Sequence, residues 1–394
     1  MTAVTPPHAS QRPSARGPAR STGRAPLRGP ARAAYRPVTQ RLEVTFLPGL
    51  GEIVAEEITE RLAPPRPPRP VPGREDALLV DHVGRLERAL SLRTAVAVFL
   101  VLTFDVPRPK SLTSGEHLPR IADAMATSVR LGAARTFRFE AAGHDSTVFQ
   151  RLAAELARAT GLVHDDAEGE VVVRFRRTPR NDQPGATRAP ADVAGWDVLV
   201  RLGGRPLSAR PWRVADFPGA VNATIAAAIV RIVGAQADDR VANLMCGSGT
   251  LLVERLLAGP AAAAVGVDID PAAIGATQEN LAAAGLADRA QVVRADVTAA
   301  GGSWRDAGPF DLVLADPPWG ALHGSHVTNP ALHSDLLRVA HEVSAPGAHL
   351  VVLTHEIKVM ERCIREADAH WRVRAELRVF AKGHHPRIYV LEHV

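Results

Sequence analysis

The sequence predicts an α/β protein, with an open, mostly parallel sheet in its C-terminal half and smaller α+β units before it. Three observations carry this. Short apolar runs of strand length recur between helical stretches at residues 239–244, 262–267, 291–294 and 312–315. A glycine turn, Cys246-Gly247-Ser248-Gly249-Thr250, follows the first run, and an acid follows each of the others, at Asp268, Asp296 and Asp316. Upstream, strand and helix patterns alternate at intervals suited to small mixed units.

The first 36 residues carry seven arginines and no acid. The rest of the chain has 40 basic and 42 acidic residues, so the net charge of +5 resides largely in this stretch. Its arginines recur at every fourth position, but Pro13, Pro18, Pro26 and Pro30 interrupt any helix. Residues 1–40 are therefore expected to form a disordered Arg/Pro/Ala-rich tail, either an electrostatic arm for nucleic acid or a leader without a specific role. No apolar run reaches a membrane span, and the N-terminus has no apolar core of a secretory signal. Cys246 and Cys363 make neither a disulfide framework nor a zinc set. These features predict a cytoplasmic protein with reduced thiols, no membrane partner and no metal.

Folded sequence starts near Arg41. Leu42, Val44 and Phe46 alternate as in a strand, Pro48-Gly49 turns the chain, and residues 50–62 have helical spacing. A short strand at 78–80, a helix at 84–92 and an apolar strand at 95–104 complete a ferredoxin-like α+β unit spanning 41–110. A second unit, 111–213, has helical stretches at 116–131 and 147–160 and strands at 136–140, 171–175 and 196–202. Between Val171 and Arg213 nine arginines face three acids, which suits a phosphate-contacting surface.

The third unit, 214–394, opens with an Ala/Ile/Val helix at 220–233. Glycines at the strand-to-helix turn after residue 244 let a ligand approach the backbone. Asp268, after the second strand, suits ribose hydroxyls, and Asp296, after the third, suits an adenine amino group. Asp270-Pro271 starts a helix with a capping side chain and a proline in its first turn. The turn lacks the Lys-Ser/Thr of a P-loop and the full glycine spacing of a nicotinamide site.

The fourth strand runs into Asp316-Pro317-Pro318-Trp319-Gly320, where two prolines end ladder pairing. Asp316 and the Pro317 carbonyl can accept both hydrogens of an exocyclic NH2, while Trp319 stacks on the ring that bears it. Held so, the amine pyramidalises and its lone pair can attack in line. His323 and His326 follow as loop residues or substrate contacts. Residues 348–354 and 356–369 read as a strand and a helix, and 371–380 with 387–391 as an antiparallel hairpin. Lys382, His384, His385 and Arg387 sit at that hairpin's turn, where they could touch nucleic acid at the pocket rim.

Residues 218–394 resemble a class I S-adenosylmethionine-dependent methyltransferase, a Rossmann-like fold. The turn from Asn243 to Thr250 resembles the Asp-Pro-Met-Cys-Gly-Ser-Gly-Thr signature of RNA guanine-N2 methyltransferases, and Asp316 to Gly320 resembles their Asp/Asn-Pro-Pro-aromatic-Gly. Leu47-Pro48-Gly49-Leu50, the basic segment and Arg210-Pro211-Trp212-Arg213-Val214 resemble the ferredoxin-like and THUMP modules of the THUMP-domain RNA methyltransferases. The resemblance implies a cofactor, S-adenosylmethionine, bordered by Cys246, Gly247 and Gly249, with Asp268 at its ribose, Asp296 at its adenine and Thr224 and Asn243 nearby. It implies Asp316, Pro317, Pro318 and Trp319 as the catalytic group, and RNA, tRNA above all, as substrate. Asn243 departs from the family's Asp and carries no charge toward the cofactor. Ribosomal RNA, DNA amino groups or non-catalytic RNA binding are the alternatives.

Overall fold

The computed structural model describes residues 39–178, 195–318, 329–381 and 383–394. The Arg-rich tail before residue 39 lies outside them, as do Arg180, Arg188, Trp319, Gly320, His323, His326 and Lys382.

The first sheet is built from β1 (Thr39–Thr45), β2 (Arg69–Pro70), β3 (Ala77–Val83), β4 (Ala97–Phe104), β5 (Thr136–Glu140), β6 (Val163–His164), β7 (Val171–Arg177) and β8 (Trp196–Arg201), with α1 (Gly51–Leu62), α2 (His117–Leu131) and α3 (Thr147–Thr160) between them. Its strand order is β2-β3-β1-β4-β8-β7-β5-β6. The two N-terminal units read from the sequence thus share one sheet: β4 of the first pairs antiparallel with β8 of the second, from Phe99↔Arg201 to Phe104↔Trp196. The segment expected as a helix at 84–92 is a 3-10 helix, Leu86–Ser91. At six residues it is too short to repay nucleation of an α-helix.

Strand alternation sends Leu42, Val44, Val98, Leu100, Val171, Val173, Val198 and Val200 into the main core. The opposite face carries charge. There Arg174 pairs with Glu140 at 2.7 Å and lies over the Phe99 ring, and Arg176 reaches Glu43 at 2.7 Å and Asp197 at 3.4 Å. Arg201 is buried against backbone carbonyls, Arg210 holds Glu254 at 2.8 Å, and Arg213 holds the Val221 carbonyl. This corrects the expected phosphate-contacting surface: these five arginines are occupied inside the protein. Acids on neighbouring strands and helices, distant in sequence, meet Arg174, Arg176 and Arg210.

The second sheet contains β9 (Arg240–Leu244), β10 (Ala263–Asp268), β11 (Gln291–Arg294), β12 (Phe310–Ala315), β13 (Ser344–Thr354), β14 (Trp371–Arg378) and β15 (Arg387–His393). Around it lie α4 (Ala223–Val233), α5 (Thr250–Ala258), α6 (Pro271–Ala283), α7 (Asn329–Val343) and α8 (Ile357–Glu366). The order is β11-β10-β9-β12-β13-β15-β14, parallel except for β15, which runs antiparallel to both neighbours. Chain order reverses between β9 and β12, so their carboxyl ends flank the crevice where such sheets bind ligands.

The first sheet's unit docks on the second at defined points. Gly49 has φ +95°, and a β-carbon there would lie 2.0 Å from the Arg378 carbonyl oxygen. Beside it the Phe380 amide donates to the Pro48 carbonyl at 3.1 Å. The Leu-Pro-Gly-Leu stretch therefore fits against the end of the C-terminal hairpin. Glu254 on α5 accepts from both Arg93 and Arg210, and Arg231 on α4 pairs with Glu60 on α1. Arg387, expected at an RNA-facing rim, is instead paired with Glu361 and Glu376.

Candidate active site

A cavity of about 420 Å³ opens at the carboxyl ends of β9, β10, β11 and β12. The turn after β9 forms its floor. Met245 (φ +52°), Gly247 (φ +54°) and Gly249 (φ +72°) all occupy left-handed backbone. At Gly249 a β-carbon would lie 2.7 Å from the Thr277 methyl group, so glycine is required both by the turn and by the approach of α6. Thr277 in turn donates to the Gly247 carbonyl at 2.8 Å. The Cys246 thiol is buried 3.5 Å from the Thr277 hydroxyl, and burial pushes it up to about 12. It stays neutral and is no nucleophile.

The acids expected at the strand ends converge here. Asp268 accepts from the Gly247 amide at 2.9 Å through Oδ2 and from the Asp270 amide at 3.0 Å through Oδ1. Its carboxylate thereby ties β10 to the glycine turn. Asp296 accepts the Thr298 hydroxyl at 2.7 Å and amide at 2.9 Å on Oδ1, and these bonds hold it below the usual carboxylate range. Asp316 differs. Burial raises its carboxyl to about 8, and Oδ1 has no hydrogen-bond partner among the described residues. Pro317 and Pro318 continue the wall beside it.

Three expected residues stand behind the wall. Thr224 is fully buried at the start of α4, its amide and hydroxyl both donating to Asn222 Oδ1. Gly249 begins α5. Asn243 donates from Nδ2 to the Leu314 carbonyl at 3.2 Å, joining β9 to β12, while its buried Oδ1 has no partner among the described residues. An Asp at this position could not donate to that carbonyl, so the uncharged residue suits this cross-strand contact.

Sequence reasoning did not find the wall formed by residues 217–221, nor what holds it. Asn280, on α6 and fully buried, accepts the Val214 and Ala215 amides at 2.9 and 3.0 Å. Its Nδ2 donates to the Ala215 and Ser248 carbonyls at 2.9 and 3.0 Å. Arg213 donates to the Val221 carbonyl and the Thr250 hydroxyl, both at 2.6 Å. Together they clamp the segment between the two sheets onto the glycine turn. An Asn inside a helix gives no local signal of this, since its partners lie more than thirty positions away.

Asp268, Asp270, Asp296 and Asp316 line the cavity, and no Lys, Arg or His does among the described residues. Such a cavity disfavours phosphate-bearing cofactors and favours a ligand that carries positive charge and presents N–H donors. S-adenosylmethionine, a sulfonium with an ammonium group and an adenine amine, fits it. The unpartnered Asp316 oxygen leaves an acceptor for a second, amine-bearing molecule. This sheet order with this site defines a class I S-adenosylmethionine-dependent methyltransferase.

Comparison with known proteins agrees. Residues 210–387 match the family described as RMKL-like, methyltransferase domain. The chain is 29% identical over 360 residues to a tRNA (guanine(6)-N2)-methyltransferase of Thermus thermophilus, covering 89% of this chain and 99% of that protein. A Methanocaldococcus jannaschii protein of the same name is 23% identical over 274 residues, 57% of this chain and 69% of its own length. Among solved structures, TrmN from Thermus thermophilus superimposes with a TM-score of 0.66 at 28% identity, covering 90% of this chain and all of that one. A putative methyltransferase complexed with SAH, SMU.472, shares the fold at a TM-score of 0.60 and 14% identity, covering 89% and 97%. Among the described residues no helix is long and apolar enough to cross a membrane. Nor is any group of three or more His, Cys, Asp or Glu placed to hold a metal ion.

Proposed function

We propose that this enzyme methylates the exocyclic N2 of a guanosine in tRNA. One observation carries the chemistry: Asp316 ends β12 beside the cofactor cavity with a buried carboxyl oxygen that nothing in the described protein satisfies. The substrate class rests on similarity, over nearly the whole chain, to a protein named for guanine-N2 methylation of tRNA.

S-adenosylmethionine supplies an electrophilic methyl group. Asp268, fixed by the Gly247 and Asp270 amides, suits the ribose, and Asp296 suits the adenine amine. Asp316 and the Pro317 carbonyl accept the two hydrogens of the guanine N2 amine, and stacking on the flipped base is the role the sequence assigns to Trp319, which lies outside the described residues. Bound there, the cofactor would donate that methyl group to N2 and be left as its neutral thioether. The positive charge arising on N2 is stabilised by the Asp316 carboxylate, which takes the departing proton and passes it to water. Burial raises that carboxyl to about 8, so the ionised form that accepts the proton grows as pH rises through that value.

The test is methyl transfer from labelled S-adenosylmethionine to total tRNA, ribosomal RNA and duplex DNA, followed by digestion to nucleosides. Label in N2-methylguanosine from tRNA is the expected result. Label confined to ribosomal RNA, or in adenine or cytosine, overturns the substrate. Asp316→Ala should abolish turnover while cofactor binding survives, and retained methylation by that variant overturns the role of Asp316.

A further inference from the structure

The structure carries a second crevice, of about 440 Å³, at the junction of the two sheet-bearing units. Four arginines line it, Arg61, Arg93, Arg205 and Arg210, together with Trp212 and Leu257, and no Asp or Glu does among the described residues. The acids that neutralise part of this charge sit behind it. Glu57 and Glu254 are both 1% exposed. Glu57 accepts the Arg93 and Thr94 amides at 2.8 and 2.9 Å and the Thr94 hydroxyl at 2.5 Å, and its carboxylate lies 3.2 Å from Arg61 Nε. Glu254 accepts from Arg93 at 2.6 Å and Arg210 at 2.8 Å. Four guanidinium groups against two carboxylates leave the crevice cationic.

Its donors are not all used. Arg210 is fully engaged, by Glu254 and by the Leu207 and Arg93 carbonyls. Arg61 meets Glu57 only through Nε, leaving both terminal nitrogens of a side chain that is 39% exposed. Arg205 is exposed and has no hydrogen-bond or ion-pair partner among the described residues. Trp212, 6% exposed, has an indole N–H that is buried without a partner. A buried donor left unmade is destabilising unless a ligand or water completes it.

From this geometry we infer that the crevice is a phosphate-binding site that holds a backbone phosphodiester of the RNA substrate. The inference rests on the RNA reading proposed above. Planar guanidinium forks match phosphate oxygens, and the indole N–H adds a neutral donor. The crevice reaches Leu257 near the end of α5, while the cofactor cavity reaches Thr250 and Leu251 at its start. The nine-residue helix is about 13 Å long, a separation that a few nucleotides span. A phosphate here anchors the RNA without entering the acidic cavity, where it would be repelled.

The experiment compares full-length wild type with Arg61→Ala/Arg205→Ala and with Arg205→Lys. Both arginines are solvent-accessible and neither touches the cofactor cavity. tRNA binding is measured across a salt series, alongside cofactor binding and steady-state methylation. The double variant should bind tRNA roughly tenfold more weakly and show a salt slope reduced by about one. It should raise the KM for RNA, leaving cofactor affinity and kcat unchanged, and Arg205→Lys, which keeps the charge, should retain most of the wild-type affinity. Unchanged tRNA affinity and salt slope in a variant that still methylates overturns the site. A wild type that methylates no RNA overturns the functional reading instead, and the binding arm still scores the crevice. Titration with inorganic phosphate separates the two sources of the group. If phosphate raises the wild-type melting temperature, the double variant loses that shift, and tRNA binding is the same in both, the site belongs to a small phosphate and the RNA assignment falls.

Discussion

Replacing Asp316 by Asn should stabilise the fold, and should do so only at neutral to alkaline pH. The carboxyl titrates near 3.8 in the unfolded chain and at about 8 in the folded one, because burial disfavours its charged form. Between those values the native state holds a proton that the unfolded state has released. Folding stability therefore falls as pH rises from about 4 to about 8, and the loss is complete above the folded value. At roughly 1.4 kcal/mol per pH unit the full cost approaches 5–6 kcal/mol. The residue as a whole is only partly buried and stands at a cavity open to water, and solvent relaxation reduces the realised cost to about 2–3 kcal/mol. The substituting carboxamide is nearly isosteric with the carboxyl and cannot ionise. Thermal unfolding of the ligand-free proteins at pH 4 and pH 8 reads the difference. The variant should match wild type within a degree or two at pH 4 and exceed it by about 4–10 °C at pH 8. An equal difference at the two pH values would refute the reasoning, since a packing effect has no pH dependence.

Other outcomes follow from the same geometry. kcat/KM for RNA should rise with pH through about 8 as the free Asp316 carboxyl ionises and becomes an acceptor, and a flat profile over pH 6–9 contradicts this. Asn280→Ala strips partners from the Val214 and Ala215 amides and the Ser248 carbonyl. It should weaken cofactor binding by about tenfold or more, at 1–3 kcal/mol per orphaned group, while kcat at saturation stays within a few-fold. Equal losses in both parameters would point to global damage. Gly49→Ala drives a β-carbon into the Arg378 carbonyl. It should lower the melting temperature by several degrees and loosen the hairpin's amide exchange near Phe380, and an unperturbed exchange pattern counts against this docking contact. Cys246→Ser should retain turnover within about threefold, because the thiol is neutral and buried; loss of transfer would assign it a chemical role.

Much of the catalytic half was decided locally and was legible in the chain. Each strand of the second sheet is a short apolar run, and each of Asp268, Asp296 and Asp316 stands where its strand stops. In a parallel sheet those positions all fall on one edge, so spacing alone brought the acids together. The glycines of the 246–250 turn were legible because only glycine tolerates that backbone. The site's exceptions were decided by tertiary structure. Asn243 and Thr224 were legible as neighbours of the site, and only the packing shows that they stand behind its wall. Asn280 and Arg213 build that wall through bonds to backbone atoms far away in sequence, and backbone atoms are the same in every residue. The arginines of 171–213 looked like a free basic surface because a count of charges cannot show which acids fold against them. Only the structure shows that Arg174, Arg176 and Arg210 are consumed by Glu140, Glu43, Asp197 and Glu254, that Arg201 and Arg213 meet backbone carbonyls, and that Arg205 beside Arg61 has no such partner among the described residues. The merging of the two N-terminal units into one sheet is of the same kind. The pairing of β4 with β8 joins residues about a hundred positions apart, and strand propensity specifies that a residue pairs without specifying with what. Sequence by itself determined the elements and the chemistry at their ends, and tertiary structure decided which charges remain available to a ligand.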